Sequence, residues 1–270
     1  MRGKTHIESF EDAARKERAI TSIYLGLKDV ELDKIVGSFG RYQDFLKNFV
    51  PLSSVVKDKV ERMKKLMIEE DLPPIELYKI KDKYYVVDGN HRVAAAKALG
   101  FKSIPAYVTE YLPPADNEEN ILLHERSMFE KMTGLDIKIT EPGKYKILLN
   151  QIEEHKKHLL KEKKFKPTLK EAALSWYYKV YLPIVKIIRK IGILERFPGR
   201  TEGDLFIYIC NHKWFESEKQ GRDIGFERAI ESFLKLNNYE TGIKYRNKFI
   251  NFLYRFKDVL GLKDNNKTGA

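Results

Sequence analysis

The sequence predicts an α/β (α+β) N-terminal domain followed by a mostly α-helical C-terminal domain. Three observations predict this. Residues 84–108 run strand, tight turn, alanine-rich helix, strand. The stretch before them sets short strand-like apolar runs around one amphipathic helix. Beyond Leu112-Pro-Pro-Ala-Asp-Asn-Glu-Glu, a boundary of two prolines and a polar run, the apolar spacing becomes helical. At 270 residues the chain is long enough for one large or two ordinary domains with a real core.

In order, residues 1–28 form an N-terminal helical extension, with 8–19 rich in Glu, Ala, Arg and Lys. The α/β domain spans 29–112. Val30 to Val36 alternates apolar with polar, the period of a short edge strand. Gly37-Ser-Phe-Gly-Arg41 follows. Two glycines around Ser38 and Phe39, with Arg41 next, suit an anion-receiving loop. The alternative is a plain strand-to-helix connector with Arg41 in a surface pair. Ser53 and Ser54 are natural N-caps, and behind them Val56, Val60, Met63 and Met67 fall on one helical stripe that suits core packing. Pro73 and Pro74 end that helix. Ile75 to Ile80 is a strand, and Lys81-Asp-Lys83 turns the chain.

Tyr84, Tyr85, Val86 and Val87 suit a buried strand, which Asp88 and Gly89 break. From Val93 the residues are strong helix formers, and Gly100 sits where a helix takes its left-handed C-terminal residue. Asp-Gly also suits a hairpin turn, but four alanines among five residues pack poorly on a pleated face. Asn90, His91 and Arg92 therefore occupy the first helical turn. Free backbone N–H groups, the helix dipole, a guanidinium fork and an imidazole together make a phosphate cradle open to solvent. The alternative is that Asp88 or Asn90 caps the helix while His91 and Arg92 face solvent or pair with local acids.

Residues 113–262 form the helical domain. His155 and His158 share a face of the basic stretch 144–161, where a solvated surface suits them better than a metal site. Glu171 to Ile191 is aromatic and apolar, and Pro183 predicts two helices or one kinked helix. In Phe197-Pro-Gly-Arg-Thr-Glu-Gly-Asp-Leu, Thr201 and Asp204 resemble a capping box that starts a helix at Glu202. Arg200 beside it meets an anion or pairs with Glu202 or Asp204. Residues 263–270 form a flexible polar tail.

Cys210 is the only cysteine, so an intrachain disulfide and a cysteine-based metal cluster are both excluded, which fits a cytoplasmic protein. The N-terminus lacks the apolar core of a signal peptide, and no apolar run is long enough to span a bilayer. The net charge of +11 suits either a nucleic-acid partner or a lysine-rich solvated surface.

Asp88-Gly-Asn-His-Arg92, set between a Tyr-rich strand and an Ala-rich helix ending in Leu-Gly, resembles the nucleotide-site motif of the ParB/sulfiredoxin superfamily. Together with Val36-Gly-Ser-Phe-Gly-Arg-Tyr42 and Phe197 to Leu205, it is similar to prokaryotic ParB-domain proteins with a helical C-terminal half. The resemblance implies a ParB/sulfiredoxin-like fold over roughly residues 30–112. Sulfiredoxins place a catalytic cysteine where this chain has Asn90, and partition ParB proteins have Gly-Glu-Arg-Arg where it has Gly89-Asn-His-Arg92. Free serine kinases have Val-Asp-Gly-His-His-Arg, which Val87, Asp88, Gly89, His91 and Arg92 match. Where those kinases carry a basic-acting glutamate, this chain has Leu52, Ser53 and Ser54, leaving Asp44 or Asp88 as substitutes.

The resemblance implies a nucleotide- or other phosphate-binding protein with kinase-like phosphoryl transfer or nucleotide hydrolysis. Asp88 and His91 would act in catalysis, with Gly89, Asn90, His91, Arg92, Arg41 and Ser38 around the phosphates. The partners implied are Mg2+ with ADP, ATP or CTP. The alternative is a ParB-like DNA-binding regulator without catalysis.

Overall fold

The computed structural model describes residues 6–162 and 166–237. The chain divides into two compact units, the first ending at Gly134 and the second beginning at Leu135. The predicted tail at 263–270, and the part of the helical domain beyond 237, lie outside the described residues.

The first unit is mixed α/β. It runs β1 (Glu8–Ser9), α1 (Phe10–Glu17), β2 (Thr21–Glu31), β3 (Ile35–Ser38), the short pair β4 (Phe45–Leu46) and β5 (Val50–Pro51), α2 (Ser54–Glu69), β6 (Ile75–Ile80), β7 (Lys83–Asp88), α3 (Asn90–Leu99), β8 (Ser103–Leu112) and α4 (Glu118–Thr133). Six strands form one sheet in the order β1-β3-β7-β6-β8-β2. The β3–β7 and β6–β8 pairs are parallel, whereas β6–β7 and β2–β8 are antiparallel.

Two sequence expectations change here. The described part of residues 1–28 is not a helical extension: within residues 6–28 only α1 is helical, while β1 and most of β2 belong to the sheet. The strand hides its period because the register shifts between Tyr24 and Gly26, so Ile23 and Leu25 point inward but Leu27 points out. Nor is Val30 to Val36 one edge strand. Val30 lies in β2, a single 3-10 turn occupies Leu32–Lys34, and β3 sits between β1 and β7. Gly37 is a strand residue. A Cβ there would fall 2.3 Å from the Glu8 carbonyl oxygen and 2.7 Å from Tyr85 Cδ1, so glycine is what lets β1 and Tyr85 close on β3.

Helix α2 starts as expected, with Ser53 accepting the Val56 N–H at 3.3 Å. Val60 is buried, and Val56, Met63 and Met67 pack against the core of Phe45, Phe49, Val86 and Val93. The methionine stripe is core packing. A second cluster gathers Phe10, Tyr78, Tyr85 and Tyr111, with Phe10 ring centroids 4.8–5.7 Å from the three tyrosines. Such pairs add ~0.5–1.5 kcal/mol each beyond burial. Helix α4 follows the proline boundary yet remains in the first unit. Ser127 donates to Glu110 Oε2 at 2.5 Å, and Glu130 pairs with Lys28 at 2.7 Å.

The second unit is helical: α5 (Tyr145–Glu162), α6 (Leu169–Trp176), a π-helical turn at Tyr177–Tyr181, α7 (Leu182–Ile191), α8 (Glu202–Gln220) and α9 (Gly225–Leu236). Pro183 has no N–H for a regular helical ladder, and just ahead of it the chain widens so that Leu182 N–H reaches the Tyr177 carbonyl. The capping box of Thr201 and Asp204 is present at the start of α8. Arg200 pairs with neither Glu202 nor Asp204, nor does it await an anion. It contacts Glu141 at 3.0 Å and donates to Thr140 Oγ1 at 2.8 Å, while Glu202 is held by Arg189 at 2.7 Å. His155 is not simply solvated, because its Nε2 meets Ser175 Oγ at 3.0 Å. No helix among the described residues is long and apolar enough to cross a membrane.

Candidate functional site

The predicted turn is present between β7 and α3. Gly89 adopts φ 107° and ψ 20°, a left-handed conformation that side chains resist. A Cβ at this position would also lie 2.5 Å from Ile75 Cγ2. Gly89→Ala should therefore lower stability by about 2–4 kcal/mol, combining backbone strain with overlap. Urea unfolding of the two proteins measures this; a loss under about 0.5 kcal/mol would mean the turn relaxes freely.

The first α-helical bond of α3 runs from Val93 N–H to the Gly89 carbonyl at 2.9 Å, so the N–H groups of Asn90, His91 and Arg92 precede the ladder. Gly89 offers no side-chain cap, and neither Asp88 nor Asn90 supplies one. The amides of the first turn remain for other acceptors. That part of the cradle is as expected.

Arg92 is placed differently. Its guanidinium donates to the Pro73 carbonyl at 2.6 Å and to Asp88 Oδ2 at 2.7 Å, and its side chain is only 14% exposed. It ties the start of α3 to the loop entering β6 and positions the turn. The fork predicted to hold phosphate is engaged within the protein, because the two prolines present carbonyls with no competing N–H of their own. Asp88 takes part in that contact through Oδ2, with its side chain 74% exposed. Asn90 is also turned inward, 5% exposed, with its Oδ1 buried and without a hydrogen-bond partner.

The second predicted loop is likewise filled from within. Ser38 is fully buried and its hydroxyl donates to the Val86 carbonyl at 3.1 Å, so it is not presented to an anion. Gly40 N–H donates to Glu11 Oε1 at 3.2 Å. This loop does receive a carboxylate, and the carboxylate belongs to α1.

What remains at the mouth of the turn is a different constellation. His91 is half-buried, its ring edge-on to Phe45 with centroids 6.0 Å apart. Burial, then the nearby positive charges of Lys59 and Arg41, hold its pKa below the ordinary histidine range, while Asp44 acts the other way. The imidazole is thus neutral at pH 7 and both cations lie within electrostatic reach of it. Arg41 and Lys59 are exposed, and neither their side chains nor that of Asp44 has a hydrogen-bond or ion-pair partner among the described residues. Lys59 was not evident as a site residue from sequence. Its one local signal is its place before Val60, which the stripe buries; its proximity to His91 comes from α2 packing on α3.

Two cations, a neutral imidazole and free helix-start amides suit anionic oxygens. Asp44 supplies hard oxygen donors of the type Mg2+ prefers when it shares phosphate ligands. Among the described residues no cluster of three or more His, Cys, Asp and Glu is arranged to hold a metal unaided.

Comparison with known proteins matches residues 44–123 to the ParB N-terminal domain and residues 115–237 to a domain of unknown function, DUF4032. A 42-residue stretch is 50% identical to an ATP-dependent L-serine kinase of Staphylothermus marinus, covering 16% of this chain and 15% of that protein. A 30-residue stretch is 57% identical to an ATP-dependent L-serine kinase of Desulfurococcus mucosus, covering 11% and 12%. The chain thus matches only about a seventh of the length of these curated relatives. Among solved structures, sulfiredoxin from Arabidopsis thaliana is similar at 20% identity and a TM-score of 0.24, over 30% of this chain and 82% of that one. The pNOB8-like ParB N-domain is similar at 15% identity and a TM-score of 0.24, over 80% and 97%.

Proposed function

Because residues 44–123 match the ParB N-terminal domain, we propose that this protein binds the polyphosphate of a nucleotide at the start of α3. Phosphoryl transfer or hydrolysis follows from that binding. The observation that carries the reading is that the positive charges of Arg41 and Lys59, whose side chains have no partner among the described residues, act on His91 beside first-turn amides that precede the helical ladder. The likeness to ATP-dependent L-serine kinases supports a kinase-like reaction.

In this reading the α3 amides and the two cations hold phosphate oxygens, and His91 donates one hydrogen bond from its neutral ring. Asp44, whose side chain has no partner among the described residues, serves as the working carboxylate, while Asp88 holds Arg92 through Oδ2. Asp44 accepts the acceptor hydroxyl's proton, or would hold a Mg2+ ion whose charge would offset that of the phosphates. Such chemistry is mostly positioning and electrostatics.

The helix dipole contributes ~0.3–1 kcal/mol and each charged hydrogen bond ~1.5–3 kcal/mol. The phosphate end alone then binds toward the ~1 mM range, and removing one cation should weaken a nucleotide about tenfold or more. Calorimetric titration with ADP, ATP and CTP of the native protein, Arg41→Ala and Lys59→Ala tests this. A bound phosphate should also raise the His91 pKa toward its ordinary value, seen as a shifted imidazole titration by NMR. Equal affinities in all three proteins would remove the site.

The second reading, a DNA-binding regulator without catalysis, rests on the +11 charge and the ParB likeness. It predicts duplex affinity that falls steeply with salt. Absence of duplex binding at low ionic strength ends it.

A further inference from the structure

The second unit carries a cleft of about 880 Å³ between α5 and α8, closed at its end by the start of α9. That volume lies within the ~300–1,000 Å³ of small-molecule sites. Facing helices in a bundle ordinarily interlock apolar residues. Here α5 presents Asn150, Glu154 and His158 to the cleft, and α8 presents Lys213, Trp214 and Glu218. Trp176 forms a buried part of the wall, 1% exposed, whereas Trp214 is 67% exposed at the rim. A large ring left that open at the rim of a cleft invites a planar partner.

The charges sort into committed and uncommitted. Lys213 lies 2.5 Å from Asp223 and 5.3 Å from the centre of the Phe226 ring, so its charge is already balanced. Glu154 holds Lys157 at 2.6 Å. Arg222, Glu218 and the Trp214 indole N–H have no side-chain partner among the described residues. Trp214 and Glu218 stand four residues apart on one face of α8, and Arg222 follows another four along, just past the Gly221 helix cap.

We propose that this cleft binds a nucleoside monophosphate, with its base stacked on Trp214, its ribose hydroxyls on Glu218 and its phosphate on Arg222. An aromatic face takes any base. A carboxylate accepts from paired ribose hydroxyls, and a guanidinium fork matches phosphate oxygens. One uncommitted cation suits one phosphate, so a diphosphate or triphosphate gains no further partner. The site is separate from the α3 turn and does not depend on its function.

The test uses a property of the sequence: its two tryptophans, Trp176 and Trp214, both line this cleft, so indole emission reports on it. Titration of the full chain with AMP should change that emission saturably, and ADP should bind no tighter. Arg222→Ala should weaken AMP about tenfold while leaving adenosine unchanged, and Glu218→Gln should weaken both. Arg41→Ala should leave the AMP titration as in the native protein. Emission that does not respond to AMP, or an AMP affinity that stays at the native value in the Arg222 and Glu218 variants, overturns the proposal. So does a response that Arg41→Ala abolishes.

Discussion

Glu110→Ala is expected to destabilise the first unit by about 3–5 kcal/mol, the cost of stranding a buried charge. Lys79 on β6 and Glu110 on β8 are register partners, 3.0 Å apart, with side chains 5% and 0% exposed. Oε1 faces the ammonium without hydrogen-bond alignment, so this contact is chiefly Coulombic, whereas Oε2 accepts from Ser127 on α4. Truncating Glu110 leaves the Lys79 ammonium in the sheet interior and removes the acceptor that draws α4 onto β8. The midpoint of thermal unfolding should fall by roughly 10 °C, at ~2–4 °C per kcal/mol for a chain of this size. Replacing both partners by apolar residues, Lys79→Met with Glu110→Leu, should cost far less than the single truncation. Circular dichroism melts of the three proteins check this. A single variant within about 1 kcal/mol of native would show that water or a rotated lysine relieves the pair.

Asp204→Ala should unfold the second unit at a comparably reduced denaturant concentration. The carboxylate is 1% exposed and accepts from the backbone N–H of Thr140 at 2.9 Å and of Thr201 at 2.7 Å, and from the Thr140 hydroxyl at 3.0 Å. It therefore caps α8 and pins residues 138–141 against it in one step. Gly203 beside it belongs to the same device, since a Cβ there would lie 2.4 Å from the Lys138 carbonyl oxygen. Losing a charged acceptor for two buried donors costs about 3–5 kcal/mol. Both tryptophans lie in this unit, so their fluorescence follows its unfolding directly. Asp204→Asn keeps an acceptor oxygen and should retain part of the stability. An Asp204→Ala curve that overlays the native one would contradict this role.

Local chemistry made much of this legible in sequence. The Asp88-Gly89 break, the alanines after Val93 and Gly100 specify strand, turn and helix without distant information, and Thr201 with Asp204 specifies a helix start. The misread elements all depend on partners far along the chain. The β2 alternation is broken by its own bulge. Gly37 is demanded by Glu8 and Tyr85, not by a loop, and α4 is held by Glu110 and Lys28 across a proline boundary. The site follows the same division. The turn and its amides could be read from residues 88–93, but Arg92 is claimed by Pro73 and Ser38 by Val86. Lys59 joins the site only through the packing of α2 around His91, whereas Asp44 was a candidate through the kinase resemblance alone.

Calorimetric titration of ADP into the native protein and Arg41→Ala tests the central claim most directly. Measurable binding is expected, weakened about tenfold or more when Arg41 is removed. Identical titrations, or no heat from either protein, would contradict it and leave the α3 turn a structural device held shut by Arg92.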